Sequence, residues 1–215
     1  MAILGERERR YLKSKFEKEL SGRVRLIVFT QEFECEYCAE VRGLAEEIAE
    51  LDDRISVEVH DFQSDRSLAE RLKVDKIPAL LLFGEKEYGV RFFGIPSGYE
   101  FTTLIDDIIQ VSRGSSSLPA SLREKIRQID RPIHIQVFVT PTCPYCPIAV
   151  KTAHQMAIEN ANITSDMIEI LEFPHLAHKY QVMAVPKIVI NDRISFEGAL
   201  PEPIFVEYVL AAVKS

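Results

Sequence analysis

The stretch Ile135-Gln136-Val137-Phe138-Val139-Thr140-Pro141-Thr142-Cys143-Pro144-Tyr145-Cys146 decides the fold. An apolar run reads as a strand, Thr140-Pro141-Thr142 as a short loop, and the residues from Ile148 onward as a helix. The two cysteines therefore sit at a helix N-terminus, one turn apart. There the positive end of the helix dipole favours a thiolate on the first. The second is placed to resolve a mixed disulfide, so the pair can cycle between dithiol and disulfide. A second pair, Cys35-Glu36-Tyr37-Cys38, follows a similar strand, Arg25-Leu26-Ile27-Val28-Phe29.

The spacing joins the two. Cys35 and Cys143 are 108 residues apart, as are Cys38 and Cys146. Pro78, after Ile77, lies 43 residues beyond Cys35, and Pro186, after Val185, lies 43 beyond Cys143. Each proline opens an apolar strand, where its missing N–H is tolerated. An aliphatic-Pro bond in that place is a candidate cis peptide. Strand, Cys-x-x-Cys, helix, then aliphatic-Pro and strand is the thioredoxin-fold pattern, and both halves carry it. The expected fold is α/β: two tandem thioredoxin folds, each a central mixed sheet flanked by helices. The expected units are 1–114 and 115–215, divided at the loop-like Arg113-Gly-Ser-Ser-Ser-Leu-Pro119.

On these motifs the chain resembles the two-domain, glutaredoxin-like protein disulfide oxidoreductases of thermophilic archaea and bacteria, which are related in plan to protein disulfide isomerase. The resemblance covers about residues 6–213, and Cys143-Pro-Tyr-Cys146 also matches the glutaredoxin motif. It implies an enzyme that reduces, oxidises or rearranges protein disulfides, with no bound cofactor. It implies protein dithiols and disulfides as substrates, a thioredoxin-reductase-like flavoenzyme as reductant, and peroxiredoxins as a further class of partner. It also implies that Ile77-Pro78 and Val185-Pro186 are cis, with their backbone offered to an extended substrate chain in the manner of an added strand. Tyr37 and Tyr145 would flank that groove, or merely cover the helix start. The flavoprotein of alkyl hydroperoxide reductase has tandem thioredoxin folds too, but resemblance implies one cysteine pair there, against two here. A redox-controlled, chaperone-like binding module is the competing class, and exposed apolar surface near Ile77 and Val185 would serve either.

Thioredoxins place a buried Asp six residues before the first cysteine. Here those positions are Phe29 and Val137. Aligning Glu58-Val-His-Asp-Phe62 with Glu169-Ile-Leu-Glu-Phe173, which needs a three-residue insertion, offers Glu58 and Glu169 as substitute proton acceptors beneath the disulfides. The alternative is a solvated strand residue. His154, on the helix after Cys146, reads as a surface or satisfied core histidine.

Composition bounds the rest. Hydrophobic content of 47% suits a protein with real cores. The net charge of −7 argues against nucleic acid, which wants a basic face. No apolar run approaches the ~18 residues of a membrane span. The N-terminus lacks the apolar core of a secretory signal, so a cytoplasmic protein is expected. Zinc ribbons space their cysteine pairs by roughly 15–20 residues, whereas Cys38 and Cys143 are 105 apart, so no metal site is expected. His175 and His178 have no cysteine or carboxylate cluster beside them.

Overall fold

The computed structural model describes residues 3–214. Its strands are β1 (Val24–Thr30), β2 (Ile55–Asp61), β3 (Ala79–Phe83), β4 (Glu87–Phe93), β5 (Ile133–Val139), β6 (Ile163–Glu169), β7 (Lys187–Ile190) and β8 (Ile194–Glu197). Its helices are α1 (Glu6–Glu19), α2 (Cys38–Ala49), α3 (Arg66–Arg71), α4 (Glu100–Arg113), α5 (Ala120–Arg127), α6 (Cys146–Glu159), α7 (Pro174–Lys179) and α8 (Glu202–Lys214).

The strands do not form two separate sheets. They make one eight-stranded sheet in the order β2-β1-β3-β4-β6-β5-β7-β8. Each half supplies four strands, and the halves join where β4 pairs in parallel with β6. Residues of β1 alternate into two cores: Leu26 and Val28 face one cluster, Ile27 and Phe29 the other. A strand buried on both faces needs a near-continuous apolar run, which is what β1 and β5 have. The larger core lies under α1, α2, α4, α5, α6 and α8. The smaller one lies under the short helices α3 and α7.

This topology fixes where the motifs stand. β1 runs parallel to β2 and antiparallel to β3, β3 is antiparallel to β4, and β4 is parallel to β6, which is parallel to β5. β1 and β5 therefore point the same way, and both Cys-x-x-Cys loops emerge at the same edge of the sheet. The β1–α2–β2 and β5–α6–β6 units step in the same direction across the sheet. With right-handed crossovers, α2 and α6 then cover the same face. Four strand steps of ~4.8 Å separate β1 from β5, about 19 Å between strand axes. Thiol exchange requires sulfur–sulfur contact, so the two pairs cannot pass electrons to one another directly in this arrangement.

The ladder corrects one expectation from sequence. Ile27 pairs with Glu58, and Ile135, its counterpart in the second half, pairs with Ser165. The counterpart of Glu58 is thus Ser165 and not Glu169, which is the last residue of β6. The cause is the polar run Thr164-Ser165-Asp166, which does not look like buried strand. Ser165 and Asp166 are fully buried because they sit at the join between halves.

That join is close. Gly89 has no Cβ, and one would run into the backbone of Ile163 and Thr164 of the other half. Arg91 donates from Nε to Asp166 Oδ1 at 2.6 Å, and Asp166 Oδ2 lies 2.7 Å from His134 Nε2. Gly89→Ala should push β4 and β6 apart and lower stability by about 1–3 kcal/mol, as overpacking does. A urea midpoint within error of the parent's would show that the two strands can separate at no cost.

Candidate active sites

Each cysteine pair is a disulfide with Cα atoms 5.5 Å apart, and there are no cross-links between halves among the described residues. Both prolines follow cis peptide bonds, Ile77-Pro78 and Val185-Pro186. The two halves match further along: Gly94 donates to Pro78 O and Gly198 donates to Pro186 O, at 3.0 and 2.8 Å. Both glycines have positive φ, 85° and 88°. Each disulfide thus shares its end of the half with a cis-proline turn and a glycine that ties the neighbouring strand to it.

Tyr37 and Tyr145 are the N-cap residues of α2 and α6 and donate no side-chain cap. Tyr145 is well exposed, Tyr37 half-buried. Ile77 and Val185 are half-buried, Pro78 and Pro186 buried. The resolving positions Cys38 and Cys146 are buried. The leading cysteines differ. Cys35 is partly exposed, but Cys143 is only 7% exposed, so its sulfur is the more covered. The Cys146 amide donates to Cys143 Sγ at 3.1 Å, a contact that favours a thiolate there.

The halves also differ in their surroundings. The loop and helix start around Cys35 carry Glu32, Glu34, Glu36 and Glu40. Two more carboxyls reach this site from the second half. Glu172 accepts from the Ile95 amide at 2.6 Å, and burial, then Glu169, Glu36 and Glu40, push it up to about 7. Glu36, burial, Glu172 and Glu169 together push the Tyr37 hydroxyl up. Arg42 lies in the same cleft as Cys35, but its Nε donates to Glu46 at 2.8 Å.

The two glutamates suggested by sequence fare differently. Glu58 lies mid-strand, in an ion pair with Arg25 at 3.1 Å, with 43% of its side chain exposed. It is a solvated strand residue, not a group beneath Cys35–Cys38. Glu169 is buried, and burial raises its pKa. Its two oxygens accept from the amides of Leu171 and Glu172, and its Cβ borders Gly94, so it lies at the join.

A third carboxyl is hidden by sequence distance. Glu100 opens α4 in the first half, and its place along α4 turns it toward the second half. Gly98 packs without a side chain against Pro141 O, and the Tyr99 amide approaches the same carbonyl. α4 and α6 run side by side, with Asp106 on Lys151, Asp107 on His154 and Gln110 on Gln155, offsets of 45, 47 and 45 residues. Carried up the helices, that offset sets Glu100 level with residues 145–147, the turn that holds Cys146. Glu100 is 1% exposed, burial raises it to about 7 against the opposing Thr103 hydroxyl of its own helix, and its oxygens have no partner from the second half among the described residues. The signal in sequence is a lone acid in the first turn, followed by Phe101, Thr102 and Thr103, which also reads as an ordinary helix start.

No group of three or more His, Cys, Asp or Glu side chains among the described residues is disposed to hold a metal ion. Among those residues no helix is long and apolar enough to cross a membrane.

Comparison with known proteins places this geometry. A family model described as a thioredoxin domain matches residues 133–211. A protein disulfide oxidoreductase from Aeropyrum pernix superposes with a TM-score of 0.91 at 32% identity, over 98% of this chain and 94% of that one. The NTD_N/C domain of an alkylhydroperoxide reductase from Enterococcus faecalis gives 0.88 at 26% identity, over 96% and 99%. An alkyl hydroperoxide reductase component of Pseudomonas aeruginosa is 30% identical over 82% of this chain. The chain spans about a third of the length of the curated relatives it matches. On its fold, its two redox disulfides and a match along nearly the whole chain, the protein belongs to the tandem thioredoxin-fold protein disulfide oxidoreductases.

Proposed function

We propose that the chain exchanges disulfides with protein substrates at both Cys-x-x-Cys sites. Cys143 and Cys35 attack, and Cys146 and Cys38 resolve. The thiolate of Cys143 attacks one substrate sulfur and forms a mixed disulfide, and the other substrate sulfur leaves and takes a proton. Cys146 then loses its proton, attacks Cys143 Sγ and releases the second substrate thiol. Two electrons and two protons pass to the substrate, and the protein ends as the disulfide. In reverse the same steps oxidise a dithiol. Glu100 is the group we assign to take the Cys146 proton, because it is buried level with that turn with only the Thr103 hydroxyl of its own helix beside its carboxyl.

The single observation that carries this reading is the pairing of each disulfide with its own cis-proline turn, once in each half. Ile77 and Val185 would offer their backbone to an extended chain, with Tyr37 and Tyr145 at the rim. A thioredoxin-reductase-like flavoenzyme in the cytoplasm is the reductant we assign. A second reading, electron donation to a peroxiredoxin, is favoured by the likeness to alkyl hydroperoxide reductases.

The test is turbidimetric insulin reduction with dithiothreitol, comparing the parent with a protein in which Cys35, Cys38, Cys143 and Cys146 are all Ser. The parent should accelerate precipitation and the substituted protein should not. Equal rates would overturn the assignment. Suppression of client aggregation by the substituted protein would favour a binding module instead.

A further inference from the structure

The seam between α4 and α6 is lined with small and apolar side chains, among them Ile108, Ala149, Val150, Ala153 and Ala157. Into it the chain sets Asp107 from the first half and His154 from the second, both without exposure to solvent. His154 Nδ1 lies 2.6 Å from Asp107 Oδ2. Phe92 closes the ring's side edge-on, with centroids 4.9 Å apart. The far ring nitrogen of His154 and the second oxygen of Asp107 are buried without a hydrogen-bond partner among the described residues. Each such atom costs about 1–3 kcal/mol, which an apolar side chain would not. Buried polar atoms left in this way call for an explanation, and a catalytic role is one.

We infer that His154 and Asp107 are positioning residues for the C-terminal redox site: a buried imidazole–carboxylate pair, one member from each half, that holds a proton beside Glu100. This rests on the reading of Glu100 given above. The pair spans the two halves through its 2.6 Å contact. His154 lies within electrostatic range of Glu100 and favours its ionised form, while burial and Asp107 oppose it. The other charged groups facing the seam are Asp106, Lys151 and Lys15 at its mouth, which pair with one another at 3.2–3.3 Å. Glu169 at the end of β6 is held by backbone amides. β4 contributes the uncharged Phe92. Without the imidazole, Asp107 becomes a second buried carboxyl beside Glu100, and Glu100 keeps its proton to higher pH. The resolving step of the C-terminal site would then begin at higher pH, while the N-terminal site would not change.

The experiment uses the full chain with Cys35 and Cys38 replaced by Ser. Cys143 is loaded as a mixed disulfide with thionitrobenzoate, and its release by Cys146 is followed by stopped flow against pH. His154→Gln should raise the midpoint of the rate profile by about one unit, a roughly tenfold loss of rate below the original midpoint. Glu100→Gln should remove that midpoint. The Glu100→Gln/His154→Gln double variant should match Glu100→Gln alone, because the pair acts only through Glu100. If Glu100→Gln shifts the profile and His154→Gln does not, or if the double variant departs from Glu100→Gln, the inference is overturned and the Glu100 assignment stands. If Glu100→Gln leaves the profile as in the parent, both fall. Should His154→Gln not fold, the His154 ring nitrogens of the reduced parent can be followed by NMR instead. Their signals should step at the pH of the release midpoint, and a ring silent from about pH 5 to 9 overturns the inference.

Discussion

In the reduced protein, Cys143 should alkylate at lower pH than Cys35, and Cys143→Ser should remove most of the turnover. The argument is electrostatic. A thiolate at Cys35 forms among Glu32, Glu34, Glu36 and Glu40, and each carboxylate opposes it. Glu172 and Glu169 add to this from the other half, since both reach Tyr37. Arg42, the cation in the Cys35 cleft, is committed to Glu46. Cys143 has Thr140, Pro141, Thr142 and Pro144 around it and no carboxylate within twelve residues in sequence. Its sulfur accepts from the Cys146 amide at the start of a 14-residue helix. Glu100 is the one carboxyl assigned to this site, and it lies level with residues 145–147 rather than on the Cys143 loop.

One effect runs the other way. Cys143 is more covered than Cys35, and burial disfavours a thiolate. The amide contact and the absence of loop carboxylates should outweigh it, leaving the Cys143 midpoint lower by about one pH unit, or a tenfold greater thiolate fraction near neutrality. Turnover in insulin reduction should then fall by about tenfold for Cys143→Ser and by less than about threefold for Cys35→Ser. The measurement is iodoacetamide labelling against pH with each cysteine followed by mass. Cys35 reacting at the lower pH would reverse the ranking of the sites.

What is legible in the sequence is whatever repeats locally. β1 and β5 are apolar on both faces, so their ends can be read directly, and the 108-residue spacing carries the cysteines and cis-prolines with them. What stays concealed lies at the join. Glu58 aligns with Glu169, four residues past its counterpart, because Ser165 and Asp166 look solvated, and nothing nearby in sequence announces that Arg91 will neutralise Asp166. The same holds for the active sites. Asp106 and Asp107 are adjacent acids on a helix, yet one pairs with lysines at the surface and the other is wholly buried against His154. Glu100 looks like a first-turn helix acid and lies level with a cysteine of the other half. Pattern reading assigns a charged residue to water unless its partner is close in sequence, and here the partners are tens of residues away.

Arg91→Ala should be among the most damaging single changes in the chain. Asp166 is fully buried between the halves and accepts from Arg91 Nε at 2.6 Å, with His134 on its other oxygen. Arg91 also donates to the carbonyls of Leu72 and Lys73 at 3.1 and 3.0 Å, tying the end of α3 to the join. Truncation leaves Asp166 charged and buried with His134 on one oxygen and Lys76 acting from further off. Breaking such a pair from one side costs about 3–5 kcal/mol. The same pair predicts the acid behaviour. Burial alone would raise Asp166, but Arg91 first and then His134 override it and hold the carboxyl well below the usual carboxylate range. A carboxyl depressed in the folded state contributes stability above its unfolded pKa, and that stability is lost as pH falls through the folded value. The parent should therefore lose the contribution of this pair progressively below the ordinary Asp value of about 4, where the unfolded carboxyl takes up a proton and the folded one does not. Arg91→Ala should flatten the acid limb of the stability curve as well as lower it. Urea unfolding from pH 7 down to about pH 3 reads both effects. A variant that loses stability equally at every pH would mean that Arg91 acts through its backbone contacts to Leu72 and Lys73, and that the ion pair with Asp166 contributes nothing.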